Sequence, residues 1–131
     1  MNLIKLDSVF SKFIRLSGVG ENGMVRCFTC PAEMGWMEIT NGHFIGRGNM
    51  ATRFSVVNCK PQCDRCNADC HYGGEKQAVF EERLREMYGD KVIDDLILSA
   101  RGIKKWAQWE IDMMEDEYLA KIVEIQAIKG V

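Results

Sequence analysis

Cys27-Phe28-Thr29-Cys30 and Cys63-Asp64-Arg65-Cys66-Asn67 are two CxxC knuckles with 32 residues between the pairs. Two such knuckles meeting around one ion present four thiolates in tetrahedral geometry, the donor set that suits structural zinc. The need is physical. Around this stretch the chain offers only short apolar runs, and a region of about 50 residues with little core gains much of its folding free energy from one metal ion. All six cysteines lie between positions 27 and 70, so one local task uses them. The run Cys59-x3-Cys63-x2-Cys66-x3-Cys70 leaves a ligand set using Cys59 or Cys70 open. The two tight pairs are preferred, because that spacing lets backbone N–H groups turn toward the sulfurs. Cys59 and Cys70 are then spare buried thiols. A redox pair is the other reading, but such a pair normally opens a helix after a strand, and Thr29 and Pro31 do not read as a helix opening.

Working outward, Asp7 to Leu16 has apolar residues at 9, 10, 13, 14 and 16, which predicts a helix with Asp7 as N-cap and Gly18 as stop. Glu21-Asn22-Gly23 predicts a turn. Trp36 to Thr40 reads as a short strand ended by a turn at Asn41-Gly42, with His43-Phe44-Ile45 after it. Arg53 to Asn58 reads as strand or extended lead-in. From Glu75 the pattern is helical: one helix over 75–88 stopped by Gly89, a second from Asp90 to before Gly102, and a third over 104–128. The third carries Ile111, Met114, Tyr118, Ile122 and Ile125 on one stripe. That stripe, with Trp106, Trp109 and Met113, reads either as core contact with the cysteine unit or as a dimer seam. The organisation expected is an N-terminal helix (1–20), a zinc-held core (21–75) and C-terminal helices (76–131).

The composition, 47% hydrophobic and 27% charged, excludes a disordered chain. No apolar run reaches a membrane span and the start lacks a signal-peptide pattern, so a soluble, cytoplasmic protein is expected. Net charge is −2, but it is unevenly placed. Residues 1–70 hold 8 Lys and Arg against 6 Asp and Glu, and residues 71–131 hold 9 against 13. Arg47, Arg53, Lys60 and Arg65 face Asp64 alone between Phe44 and Asn67. That asymmetry permits phosphate contact through the first half only, without requiring it, since a few surface arginines are ordinary. Between the knuckles, His43 follows Gly42, Asn58 comes next, and Asn67 follows Cys66 directly. In a zinc scaffold this order offers a general base beside an oxygen ligand for a hard cation.

The order CxxC, Gly-His, Asn, CxxC-Asn is similar to the HNH or ββα-metal nucleases in their His-Asn-Asn form. Over most of its length the chain resembles the NinG (Rap) family of lambdoid phage recombination proteins. The resemblance rests on Leu6 to Leu16, Glu21-Asn22-Gly23, Arg26 to Cys30, Gly42-His43-Phe44-Ile45, Met50 to Phe54, Asn58, Gln62 to Asn67, and Ile103-Lys104-Lys105-Trp106 with the helix after it. The knuckle-plus-Asn ending is also similar to endonuclease VII-type junction resolvases.

The resemblance implies an α+β fold, with a small zinc-stabilised ββα-metal (treble-clef or HNH-like) core flanked by helices. It implies a metal-dependent endonuclease acting on Holliday junctions and D-loops with the phage recombination machinery, in a bacterial cytoplasm. Under it, Cys27, Cys30, Cys63 and Cys66 hold structural Zn²⁺ and His43 activates water. Asn67 ligates a catalytic Mg²⁺ or Mn²⁺, Asn58 orients His43, and Arg47, Arg53, Lys60 and Arg65 contact DNA. A homodimer would supply two cuts. Many nucleases of this fold carry a metal-binding Asp immediately before the His. Gly42 stands there, which leaves Asp69, His71 and Asn41 as candidates for the second ligand.

Overall fold

A computed structural model describes residues 2–131. The fold is α+β, with five α-helices and two small antiparallel sheets among the described residues. Helix α1 (Ile4–Ser17) is followed by the hairpin β1 (Val25–Arg26) and β2 (Glu33–Met34). Strand β3 (Thr40–His43) pairs with β4 (Cys59–Gln62), placing Gly42 opposite Lys60 and His43 opposite Cys59. Helix α2 (Asp64–His71) follows β4 directly. Then come α3 (Lys76–Tyr88), α4 (Asp90–Ser99) and α5 (Gln108–Lys129). No helix among the described residues is long and apolar enough to cross a membrane.

Four expectations need correction. Helix α1 starts three residues before Asp7, with Leu3 at the N-cap, so Asp7 lies in the first turn. Asp7 is spent instead on an ion pair with Arg53. Trp36 to Ile39 form a turn closed by Glu38 and Ile39 N–H groups on the Gly35 carbonyl. The strand begins where that turn ends and runs through Asn41-Gly42, which is no turn at all. Glycine is needed at 42 for a packing reason: a Cβ there would collide with the buried Gln62 side chain. Val56–Asn58 is a 3₁₀ turn, and the strand lies after it. Helix α5 begins at Gln108, not Lys104, where the Glu110 carboxylate accepts from the Ala107 N–H at 3.0 Å and closes the first turn.

Two apolar cores flank the hairpin. In the first, Leu6, Phe10 and Ile14 of α1 pack with Ile111 and Tyr118 of α5 and with Phe54. Phe10 lies edge-on to Phe54 at 5.9 Å and to Tyr118 at 5.1 Å. Each such fully buried side chain contributes roughly 1.5–3 kcal/mol. The Lys129 ammonium at the far end of α5 donates to the Leu16, Ser17 and Val19 carbonyls, closing the C-terminus of α1. The α5 stripe is thus an intramolecular contact with α1. Trp106 and Met114 pack at its edge, whereas Trp109 and Met113 are exposed. The second core joins Phe44 to Phe80 and Leu84 of α3 and Ile93 and Leu96 of α4.

Candidate functional site

The two knuckles meet. The sulfurs of Cys27, Cys30, Cys63 and Cys66 all lie within 4.8 Å of one another, the one such group among the described residues. Cys30 and Cys63 sulfurs are 3.7 Å apart. A tetrahedron with metal–sulfur bonds of about 2.3 Å has edges of about 3.8 Å, so these four cysteines could hold a zinc ion. Local backbone builds the cage. The Cys63 N–H donates to the Cys27 sulfur at 3.3 Å and the Cys66 N–H to the Cys63 sulfur at 3.5 Å. The Phe28 N–H reaches the Pro61 carbonyl, tying the first knuckle to β4.

The charge state follows. Burial pushes the Cys27 thiol up, but the Cys63 and Thr29 amides and the Thr29 and Cys30 side chains bring it down to about 6. Burial pushes Cys66 up to about 12, reinforced by the neighbouring sulfurs. A dication bound among the sulfurs would favour their thiolate forms. Cys63 does open a helix after a strand, as a redox pair would, yet its thiol is buried and also raised by that burial. Cys59 lies in the α1–α5 core and Cys70 accepts from Gln62 Nε2, so both stand outside the cage.

Beside this cage is a cavity of about 880 Å³ whose wall includes His43, Asn67, Asn41, His71, Asp7 and Arg47. Strand alternation explains part of that set: residues 41 and 43 share one face of β3 and Gly42 takes the other, against Gln62. His43 Nε2 lies 3.0 Å from the Arg53 carbonyl. A carbonyl only accepts, so Nε2 carries the hydrogen and Nδ1 keeps its lone pair. Among the described residues Nδ1 has no hydrogen-bond partner. Burial holds the imidazole below its ordinary value of 6.5, opposed by the Arg53 carbonyl and the Asp7 charge and aided by Arg47 and Arg53. It is therefore a neutral base at pH 7. Asn67 stands in α2 one residue past Cys66 and donates its amide N–H to Thr40 Oγ1 at 3.4 Å, which leaves Oδ1 as its free group. Asn41 Oδ1 is buried without a partner.

Other expected residues lie elsewhere. Asn58 is fully buried and brackets Ile45, accepting from its N–H at 2.8 Å and donating to its carbonyl at 2.9 Å. It also donates to the Thr52 carbonyl, so it shapes the loop after β3 without lining the cavity. Asp69 accepts from the Lys76 N–H at 2.8 Å at the junction of α2 and α3, away from the cavity wall. Arg47 is exposed at the cavity mouth, but the Arg53 guanidinium is committed to Asp7. Lys60 donates to the Val56 carbonyl and to Tyr88 Oη, and neither it nor the exposed Arg65 lines the cavity.

Two cavity residues escaped the sequence reading. Asp7 resembled a helix cap, and nothing local signals a partner 46 residues away. Gln77, which lines the cavity and donates to the Phe44 carbonyl at 2.7 Å, is indistinguishable in sequence from any polar residue of a helix face.

Comparison with known proteins supplies one relationship. The family model for the bacteriophage lambda NinG protein matches residues 3–127. No curated protein and no solved structure matches the chain. With nearly the whole chain matched, this protein belongs to the NinG family, a family related to phage recombination.

Proposed function

We propose that this chain is a metal-dependent, structure-specific DNA endonuclease acting on branched recombination intermediates such as Holliday junctions and D-loops. The observation that carries the reading is that His43 and Asn67 both line one cavity, with His43 Nδ1 open and its other nitrogen already satisfied. The β3–β4–α2 order next to a four-cysteine cage supports an HNH-like or ββα-metal core.

In this reading the neutral His43 takes a proton at Nδ1 from a water aimed at the scissile phosphorus. Burial suits it to that task, because a base held below the ordinary histidine range is unprotonated at working pH. A bound Mg²⁺ or Mn²⁺ would supply electrostatic stabilisation of charge developing on the phosphate and the departing 3′ oxygen. Asn67 Oδ1 is the oxygen donor expected to hold it. Of the three second-ligand candidates, Asn41 and His71 share the cavity with Asn67 and Asp69 does not. Arg47 is placed to neutralise backbone phosphate at the mouth. Branch geometry and flexibility, not base sequence, would be the readout. The test is nicking of a branched duplex with Mg²⁺ or Mn²⁺: cleavage by the wild type that is lost in His43→Ala supports the enzyme.

One observation favours a second reading, a zinc-held junction-binding accessory protein without cleavage. The carboxylate on the cavity wall, Asp7, is engaged by Arg53, and Gly42 leaves no room for the preceding Asp found in many nucleases of this fold. Tight junction binding with no cleavage in either metal would establish that role.

A further inference from the structure

We propose that Asp7 is a positioning residue for His43, acting through Arg53: its carboxylate fixes the arginine whose carbonyl holds the imidazole by Nε2. The inference rests on the role of His43 as the base and adds the device that sets its active nitrogen. Arg53 works in two directions. Its Nε donates to Asp7 Oδ1 at 3.0 Å and its Nη2 to Oδ2 at 2.5 Å, the two-point fork that fixes orientation as well as distance. Its carbonyl oxygen meanwhile accepts from His43 Nε2 at 3.0 Å. Both side chains of the pair are largely covered, at 17% and 19% exposure, which separates it from mobile surface pairs.

The arrangement matters because imidazole has two tautomers. Only the form with hydrogen on Nε2 leaves Nδ1 a lone pair. Arg53 lies on a turn between β3 and the 3₁₀ segment, where Asn58 holds the Thr52 carbonyl, Phe54 is buried, and the Arg53 carbonyl also lies 3.9 Å from the Cys59 sulfur. Asp7, on the rigid α1, anchors it from outside the loop. A helix far from the cysteine cage in sequence thereby reaches the chemistry without touching the reacting atoms.

The test needs neither DNA nor cleavage, so its outcome is separable from that of the nuclease reading. The chain has two histidines, which makes long-range ¹H–¹⁵N spectra of their rings simple to assign. In the full chain with zinc, His43 is expected as a single Nε2–H tautomer. In Asp7→Ala it is expected as a mixture or an exchange-broadened signal, with His71 unmoved and Asp7→Asn in between. Lys129→Ala, which loosens the opposite end of α1, separates positioning from general destabilisation and is expected to leave His43 as in the wild type. Arg53→Lys keeps the charge but loses the fork, and is read in place of Asp7→Ala should that variant fail to fold. An unchanged Nε2–H signal in folded Asp7→Ala, or in Arg53→Lys as its replacement, overturns the proposal, as does an equal disturbance in Lys129→Ala. In nicking assays the same link predicts a fall in kcat with KM for DNA unchanged.

Discussion

The cysteine region and the α1–α5 layer adjoin the same cavity but are held together by different means. Around the knuckles the strands β1 and β2 are two residues long, and the three buried cysteine sulfurs adjoin only a small apolar cluster of Val19, Val25 and Ile39. The layer buries Leu6, Phe10, Ile14, Ile111 and Tyr118 in continuous contact. The four cysteines of one region could hold a single zinc ion, while the other rests on many small apolar contributions. Each positions one member of the candidate pair. Asn67 follows the cage residue Cys66 directly, while His43 is held by the Arg53 carbonyl, which Asp7 of α1 braces. The cavity is a seam between a half that one zinc ion could hold and an apolar half, so the two halves are expected to fail separately.

The largest effect that would sharpen this contrast is metal removal. A strong chelator, or Cys63→Ser, is expected to release about one zinc per chain and to abolish amide-exchange protection over 25–34 and 63–71. Apparent binding free energies of structural zinc in small domains are about 10–16 kcal/mol, more than such a region can replace. Protection in α1 and α5 is expected to persist; simultaneous loss in both regions would break the comparison. The reciprocal cut is Phe10→Ala, expected to cost about 3–5 kcal/mol in global unfolding with zinc stoichiometry unchanged. Loss of zinc in that variant would show that the halves are not separable.

A smaller effect concerns acid. Burial lowers the folded-state value of His43, so its contribution to stability is complete above the ordinary 6.5 and is lost as pH falls through the lowered folded value. Denaturant midpoints for the wild type should drop in that window, and His43→Gln should flatten the drop. A steeper drop in the variant would contradict the assignment. The smallest effect separates cations on the seam from those off it. Arg47→Ala is expected to weaken branched-DNA binding and reduce the salt slope by about 1, whereas Lys60→Ala, already bonded to Tyr88 and Val56, should change neither.

How much of this is legible in the residues follows the range of the forces involved. The CxxC pairs announce themselves because knuckle spacing is local, and α3 and α4 because period and a stopping glycine are local; Gly89 has a φ of 88°. Gly42 misled for the opposite reason. In sequence Asn-Gly signals a turn, and only the approach of Gln62 from the neighbouring strand shows why a side chain is excluded there. Arg53 looked like a free phosphate ligand because its partner sits in another element. In sequence the α5 stripe reads as meeting the cysteine unit or a second chain, and only three-dimensional packing shows it against α1, which neither reading names. Contacts that span the chain, rather than propensities, are what the residues concealed.

If the seam carries chemistry, His43 and Asn67 are its two members. The most direct test is single-turnover nicking of a branched duplex at saturating protein, comparing the wild type with His43→Ala and Asn67→Ala, with zinc content and DNA affinity measured on the same samples. Metal-dependent cleavage is expected to fall by about 10²–10⁴ in His43→Ala and sharply in Asn67→Ala, while zinc content and affinity hold. Wild-type cleavage rates in both variants, or no cleavage by the wild type on any branched substrate, would contradict that assignment.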